Sequence, residues 1–437
     1  MSTRLRSVWT EATASLWFLP ALLIMGFAGL AVLLVDASSL VDRAVLIRHP
    51  RFFGASAGSS ASMLSTIAGS MMTVAGVTFS ITVLAVTQAS SHYTPRILRN
   101  FMRDRPSQVA LGTLNGVFVY CLIVLRTVRS EADLQFIPAL AVLGAIVLAL
   151  IGIRVLVFFI HHIAGSLQVN SILDRLRRQT VASIVALFPA RIGEGAPGGD
   201  AVARATQSCL EQTGAWTAVS APATGYLTRV HGEALLDFAS AHDCVVRMRH
   251  GIGDYVIADT PLCEVAGAPV DASAAARLAG LFDIAPFRTV EQDAAFGVQL
   301  IVDIAIKALS PGINDTTTAV SCVDCIGAVL VAVASRHIAS ALRLRDGALR
   351  VIARGPDFES LTAMAVEDIR RNAEGNVVIL HHLLDTIGRV MASTADRTRR
   401  AVLAGHAARA HEAAERSVTD AADRAALATA YRRALAP

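Results

Sequence analysis

Hydrophobic residues are concentrated in four long runs within the first 160 positions of the chain. The runs cover residues 16–35, 63–87, 108–128 and 136–160. Each is long enough to cross a hydrocarbon core of roughly 30 Å as a helix. The first run is too long for the core of a cleaved signal peptide, so we interpret it as a retained span. The pattern predicts a transmembrane domain over residues 1–165, built as an all-α four-helix bundle.

The second run carries small and hydroxyl residues along one side of its predicted helix. They recur at spacings of three and four residues, which place side chains on one helical face. This set is Ser65, Gly69, Thr73, Gly76, Ser80 and Thr87. In hydrocarbon, small residues allow helices to approach closely, and hydroxyl groups find partners across the contact. The face is therefore predicted to be a helix interface or the lining of a pore.

The chain beyond residue 165 has the mixed composition of a water-exposed region. Residues 166–205 predict a connecting helix followed by a glycine- and proline-rich linker. Short β-branched runs separated by turn residues predict a β-rich, barrel-like module over 206–290. Residues 291–437 predict a helical region. The predicted fold class is thus a membrane four-helix bundle with a cytosolic α+β region.

A turn is predicted within the helical region, where the sequence reads SPGIND. Pro311 and Gly312 favour a tight turn, and Asn314 precedes Asp315, which can cap a helix that begins near Thr316. A left-handed or tight backbone turn tolerates a β-branched side chain poorly. Gly312→Val is therefore predicted to impair folding.

Arginine placement orients the predicted bundle. The amino terminus, the loop after the second run and the segment after the fourth run all carry arginines, which indicates that these regions are cytoplasmic. In the loop, Arg96, Arg99 and Arg103 fall on one face of a short amphipathic helix, which suits contact with lipid phosphate groups. A connector that packs on the soluble region is the alternative. The pattern predicts a multi-pass protein of the inner (plasma) membrane with both termini in the cytoplasm.

Candidate chemistry is sparse. The net charge of +4 is too mild to indicate nucleic-acid binding. Cys322 and Cys325 form a CxxC pair that cannot fill a structural zinc site without further ligands, so packing is favoured over redox control or metal binding. The glycines of 193–198 lack the strand and acidic residue of a dinucleotide site. The sequence predicts no metal and no cofactor, and it favours a protein that is not an enzyme because no acid, base and nucleophile cluster together.

Two motifs resemble a family of bacterial predicted integral membrane proteins whose domain has no assigned function. They are TFSITVLAVTQASSHYTPRILRNFMRDRPSQVALG, which joins the second run to the third, and ALSPGIND in the soluble region. Members of that family often have a proline where Thr316 stands in this chain. The resemblance implies four amino-terminal spans followed by a cytosolic portion, and it transfers no catalytic residue.

Two classes of function are consistent with these patterns. The favoured class is an oligomeric channel or transport-like assembly in which the second spans approach one another and the cytosolic region controls assembly or opening. The alternative is a membrane-anchored binding or structural protein in which the small-residue face only holds helices together. The predicted partners are membrane lipids and further copies of the same chain, and no residue pattern identifies a transported species.

Overall fold

The computed structural model describes residues 17–40, 56–92, 104–128, 137–166, 168–187, 194–195, 216–267, 271–290, 292–336, 338 and 341–436. The chain divides into two compact units, Met1–Ser171 and Ile172–Pro437. Within the described ranges the first unit is helical, and the second combines helices with two β-sheets.

In the described residues, four long helices form the first unit. They are α1 (Phe18–Leu40), α2 (Ala57–His92), α3 (Arg105–Thr127) and α4 (Ala139–Ser166). Each coincides over most of its length with one of the predicted apolar runs. α3 packs against the other three helices, and α4 also contacts α1 and α2. α2 has 36 residues, which at about 1.5 Å per residue gives roughly 54 Å, more than the thickness of a hydrocarbon core.

The core of the first unit lies where α3 meets its neighbours. Leu64 of α2 and Leu114 and Tyr120 of α3 are fully buried there. The Tyr120 hydroxyl donates a 2.8 Å hydrogen bond to the Ala141 carbonyl oxygen of α4. A buried phenol requires such a partner because an unpaired hydroxyl in an apolar core is destabilising.

The described part of the second unit contains nine short strands in two open sheets. The strands are β1 (Glu194–Gly195), β2 (Thr217–Ser220), β3 (Gly225–Val230), β4 (Cys244–Met248), β5 (Tyr255–Val256), β6 (Pro261–Gly267), β7 (Phe282–Ala285), β8 (Leu342–Arg345) and β9 (Ala348–Ile352). Six pair in the order β1-β8-β9-β4-β6-β2, and three pair in the order β5-β3-β7. Neither sheet closes on itself within the described residues, so the predicted barrel-like module is wrong.

The reason for this error is a long-range strand pairing. β4 has β9 as a parallel neighbour, with Val246 opposite Val351. β8 and β9 belong to the region in which only helices were predicted. They form a hairpin whose turn, Asp346 and Gly347, has φ angles of 53° and 74°. An Asp-Gly pair with two positive φ angles is the usual two-residue hairpin turn.

Nine further helices complete the described chain. They are α5 (Val169–Leu187), α6 (Gly232–Ala241), α7 (Ala272–Ala279), α8 (Ala294–Leu309), α9 (Thr316–Ala334), α10 (Phe358–Asn372), α11 (Val377–Ala392), α12 (Arg397–Ser417) and α13 (Ala421–Leu435). α6 and α7 supply Leu235, Leu236 and Leu278 to the core of the sheets. α8 packs on α9 and α10, whereas α11 contacts α9, α12 and α13.

Five of the described helices are long and apolar enough to cross a membrane, judged by length and composition. Four of them are α1 to α4. The fifth is α9, which contacts α8, α10 and α11 and buries Cys322, Val323 and Ile326 completely. A helix in the middle of a helical layer is apolar on most sides because most of its surface is removed from water, as the surface of a membrane span is. Packing within the second unit is therefore sufficient to account for the composition of α9.

Candidate functional site

The six small and hydroxyl residues predicted as an interface lie on the exposed side of α2. The buried side of α2 carries a different set, Leu64, Ala68, Met71, Ala75 and Thr78. A Cβ atom placed on Gly69 or Gly76 meets no other atom within 4 Å. Within the described part of the subunit, these two glycines therefore hold no helix contact. Their face is available to lipid or to a second molecule.

Three hydroxyl groups on this face bond to their own helix. Thr73 Oγ1 donates to the Gly69 carbonyl oxygen at 3.0 Å, and Ser80 Oγ donates to the Gly76 carbonyl oxygen at 3.0 Å. Thr87 Oγ1 donates to the Leu84 carbonyl oxygen at 2.8 Å. Each donor is thus satisfied without water or another helix, and the carbonyl oxygens gain a second donor. The face can consequently meet either an apolar or a wet surface.

Inside the first unit, glycines of α3, rather than those of α2, make a close helix contact. Gly112 and Gly116 form a GxxxG pair that faces α1. A Cβ atom on Gly112 would lie 2.7 Å from Leu23 Cδ1 and 2.9 Å from Pro20 Cα, and one on Gly116 would overlap the Phe27 ring. Small residues four apart allow two backbones to approach in this way. The GxxxG motif in the third apolar run was the sequence signal that could have identified this contact.

A polar cluster joins the start of α3 to the end of α4. Asp104 caps α3, and its Oδ2 accepts hydrogen bonds from the Ser107 amide at 3.2 Å and the Ser107 hydroxyl at 2.6 Å. Its Oδ1 lies 2.9 Å from His162 Nε2. The sequence showed a histidine pair at the end of the fourth run but gave no sign of this carboxylate partner. The predicted lipid-binding arginines, Arg96, Arg99 and Arg103, lie outside the described residues.

The turn between α8 and α9 has its left-handed residue at Asn314. Asn314 has a φ of 48°, and its amide donates to the Ser310 carbonyl oxygen at 2.9 Å. Asp315 caps α9 by accepting from the Thr318 amide at 3.0 Å. Gly312 follows Pro311 without a left-handed φ, and a Cβ atom there meets nothing within 4 Å. The sensitivity to a β-branched substitution that was predicted for Gly312 is therefore expected at Asn314 instead. Asparagine is one of the few residues with a side chain that tolerates a left-handed backbone conformation.

The CxxC pair lies within α9. Cys322 is buried and Cys325 is half-buried, and both thiols are free. Burial raises the pKa of both thiols, which keeps them protonated and poor as nucleophiles or metal ligands. Among the described residues, no group of three His, Cys, Asp or Glu side chains is arranged to hold a metal ion.

The second unit contains a cavity of about 380 Å³. Its wall includes parts of α6, β4, β8 and β9, the start of α8 and Asp357, which caps α10. The wall is mainly apolar, with a few charged side chains. This size lies at the small end of the range found for small-molecule sites, roughly 300–1,000 Å³.

A unit of long, apolar, mutually packed helices followed by a unit with charged surfaces is the organisation of an integral membrane protein. The family described as Predicted membrane protein (DUF2254) matches residues 13–389. The chain belongs to this family, which confirms the resemblance inferred from the two motifs.

Three mycobacterial proteins are similar to the whole chain. Uncharacterized proteins of Mycobacterium tuberculosis strain CDC 1551, M. tuberculosis strain H37Rv and Mycobacterium bovis are each 30% identical to it over 445 residues. The alignments cover 99% of this chain and 82% of each relative. No solved structure matches the chain.

Proposed function

We propose that this protein is an oligomeric, transport-like assembly of the inner membrane in which copies meet along the exposed small-residue face of α2. The observation that carries the proposal is that no described part of the subunit packs on Gly69 or Gly76 of this face. Gly69 and Gly76 have open space where a side chain would be. α2 packs internally through its other side, at Leu64, Met71 and Ala75.

Membrane physics favours a second helix as the occupant of that space. Lipid tails pack equally well on leucine or valine, so a lipid-facing surface has no need of glycine. Two helices that meet at glycines gain close backbone approach and van der Waals contact. Thr73 and Ser80 then lie at the seam between copies, where their hydroxyl oxygens offer polar groups to a passing ion or water molecule.

The orientation follows from arginine placement. An even number of spans puts the amino terminus and the second unit on the same side, and the loops rich in arginine favour the cytoplasm. In this arrangement the arginines at 96, 99 and 103 reach lipid phosphates at the inner surface. The second unit then regulates opening or assembly from the cytoplasm.

A membrane-anchored binding protein is the second candidate. Two observations favour it: the exposed hydroxyls of Thr73 and Ser80 on α2 are satisfied by their own helix, and the second unit has a cavity of ligand size. In that case the helices of the first unit serve as an anchor, and the activity belongs to the second unit.

Reconstitution distinguishes the two candidates. The full-length protein is purified, its mass is measured as a complex with detergent, and it is incorporated into vesicles loaded with salt. An oligomeric mass together with release of ions supports the transport-like assembly. A monomeric mass, or vesicles that stay tight at high protein density, would favour the anchored binding protein.

A further inference from the structure

α4 carries a charged residue in the middle of an otherwise apolar helix. The helix has 28 residues, from Ala139 to Ser166, and it is one of those long and apolar enough to cross a membrane. Arg154 lies near its midpoint, with roughly 18 Å of helix between it and the nearer end. A guanidinium stays protonated, so its position at such a depth in hydrocarbon is costly unless an anionic or polar group accompanies it.

Arg154 lies on the side of α4 that faces away from the other described helices. On the opposite side, Phe159 is fully buried, and Gly152 packs against Met71 of α2. Arg154 is exposed, and so is the neighbouring Phe158. Among the described residues, no hydrogen bond or ion pair engages the Arg154 guanidinium. Its counter-charge therefore has to come from outside the subunit.

The carboxylates of the first unit lie at other depths. Its described residues include two, Asp36 near the end of α1 and Asp104 before α3. Asp36 is level with the start of α4, where α1 packs against Gly144, and Asp104 contacts His162 at the end of α4. These contact points are roughly 15 Å and 12 Å from Arg154 along the helix. A second copy in the same orientation has both carboxylates at the same depths, so it cannot neutralise Arg154 either.

The direction of the side chain limits how far Arg154 can reach toward water. The next polar residue on the exposed side is His161, about 10 Å closer to the end of α4. Because a Cα–Cβ bond tilts toward the amino-terminal end of its helix, the Arg154 side chain starts in the opposite direction. Extension to the nearer water surface is therefore unfavourable, and an anionic group has to be drawn toward the guanidinium.

We propose that Arg154 binds the phosphate of an anionic membrane lipid, which is held beside α4 below the level of the surrounding headgroups. Guanidinium groups bind phosphate through paired, charge-assisted hydrogen bonds. Val157 and Phe158 are exposed next to Arg154 and provide an apolar surface for acyl chains, which a lipid can use and an inorganic anion cannot. A displaced headgroup thins the bilayer locally, and such thinning lowers the cost of an arginine inside the membrane.

This lipid site is separate from the small-residue face of α2. The two helices meet at Met71 and Gly152. Thr73 and Arg154 lie two positions further along α2 and α4, which is roughly 200° around each helix, so they face different sides of the subunit. The inference consequently holds whether or not copies of the chain assemble through α2, and its failure would leave that assembly untouched.

Lipid retention by the full-length protein tests the inference. The protein is placed in nanodiscs of phosphatidylcholine that contain a minor fraction of phosphatidylglycerol, and native mass spectrometry identifies the lipids that stay bound after release. We expect the wild-type protein to retain phosphatidylglycerol preferentially, because the choline group of phosphatidylcholine already neutralises its own phosphate. Added inorganic phosphate should not displace the retained lipid.

Two variants locate the site. Arg154→Leu should reduce the preference for phosphatidylglycerol by about tenfold or more, since it removes hydrogen bonds to a charged group. Arg126→Leu is the matched control, because Arg126 is also exposed but lies in the last turn of α3, and it should keep the wild-type preference. Thermal unfolding establishes that both variants are folded. If Arg154→Leu is unfolded, Arg154→Lys replaces it and should show an intermediate preference, because lysine keeps the charge without the paired donors.

Four outcomes would overturn the proposal. They are equal retention of the two lipids by the wild-type protein, an unchanged preference in the folded Arg154 variant, an equal loss of preference in Arg126→Leu, and displacement of the lipid by inorganic phosphate.

Discussion

At the scale of single residues, Asn314 has a backbone conformation that few side chains tolerate. With a φ of 48°, it connects the end of α8 to the cap of α9. A β-branched residue in the left-handed region clashes with its own backbone, at a cost of about 1–2 kcal/mol or more. Gly312, two positions earlier, has neither a left-handed φ nor a neighbour within 4 Å of a Cβ atom.

We therefore predict that Asn314→Ile lowers the free energy of unfolding by about 1–2 kcal/mol, whereas Gly312→Val has a smaller effect. Thermal unfolding of the detergent-purified protein, followed by circular dichroism, measures both. Asn314→Gly is the control, since glycine adopts the same φ without strain. A larger loss for Gly312→Val than for Asn314→Ile would contradict the assignment.

Glu367 and His406 form a largely shielded hydrogen-bonded contact between α10 and α12. Glu367 accepts hydrogen bonds from Arg409 Nε at 2.7 Å and from Arg370 Nη2 at 2.9 Å, and it lies 2.8 Å from His406 Nδ1. Burial raises the pKa of Glu367, but the hydrogen bonds from Arg409, Arg370 and His406 outweigh it and bring the pKa to about 2. Burial lowers the pKa of His406 more than its contact with Glu367 raises it.

Because of Glu367 and His406, a fall in pH is expected to destabilise the folded protein. His406 is neutral in the folded protein, so its contribution is complete above its ordinary pKa of 6.5 and is lost as the pH falls below that value. Glu367 has a lowered pKa, so its contribution is complete above its ordinary value of 4.5 and is lost as the pH falls toward about 2. We expect the unfolding temperature to fall between about pH 7.5 and about pH 5, and His406→Asn to reduce that fall.

Glu367→Gln should lower the free energy of unfolding by about 2–3 kcal/mol at neutral pH, because it weakens charged hydrogen bonds to buried partners. Unfolding curves at a series of pH values test this loss and the effect of His406→Asn. A pH profile that is the same in wild type and His406→Asn would exclude His406 as the group that titrates.

At the scale of elements, glycines on α2 and α3 have different surroundings. Gly116 lies against the Phe27 ring of α1, whereas Gly76 faces open space. A leucine at Gly116 cannot be accommodated without separating α1 from α3, and overpacking of this kind costs about 1–3 kcal/mol or more. A leucine at Gly76 disturbs nothing inside the described subunit.

We predict that Gly116→Leu destabilises the folded subunit and that Gly76→Leu leaves the subunit folded but reduces its assembly. Size-exclusion chromatography and thermal unfolding report the fold, and native mass spectrometry reports the number of copies. Val77→Leu, on the flank of the small-residue face, is the control for added volume. Loss of the subunit fold in Gly76→Leu, with Gly116→Leu unaffected, would reverse the roles of the two helices.

These same elements show what the sequence could predict. Long apolar runs identified α1 to α4, because few other structures require so many consecutive apolar residues. The inward face of α2 was not predictable from its periodicity, because small residues occur on both sides: Ala68 and Ala75 are buried, and Gly69 and Gly76 are exposed. The β4–β9 pairing joins strands about a hundred positions apart, and no local pattern records such a partner, although Asp346 and Gly347 marked the hairpin.

At the scale of the whole molecule, the orientation in the membrane can be tested with cysteine labelling. Cys244 and Cys322 are both buried, so these native thiols are poor reporters for reagents in water. Ser59 near the start of α2 and Thr429 in α13 are exposed. We predict that an impermeant thiol reagent labels Ser59→Cys in intact cells and labels Thr429→Cys only after permeabilisation. The opposite pattern would place the second unit outside the cytoplasm.

The final prediction separates conduction from simple packing at α2. If copies surround a wet passage, thiols in Thr73→Cys and Ser80→Cys should react with a small water-soluble reagent, because the reactive thiolate forms in water and is disfavoured in hydrocarbon. The reaction should also reduce ion release from reconstituted vesicles. Val77→Cys, on the flank of the same helix, should stay unreactive in lipid.

A dry contact between copies gives a different result. The thiols at positions 73 and 80 would then resist the reagent but form disulfides between copies under an oxidant, since two helices that meet at Gly69 and Gly76 bring these side chains together. Protection without any cross-link would mean that the face meets lipid. In-membrane hydrogen bonds contribute only about 0.6 kcal/mol on average, so the hydroxyl groups alone could not hold the copies together. Protection without a cross-link would therefore rule out the proposed assembly through α2.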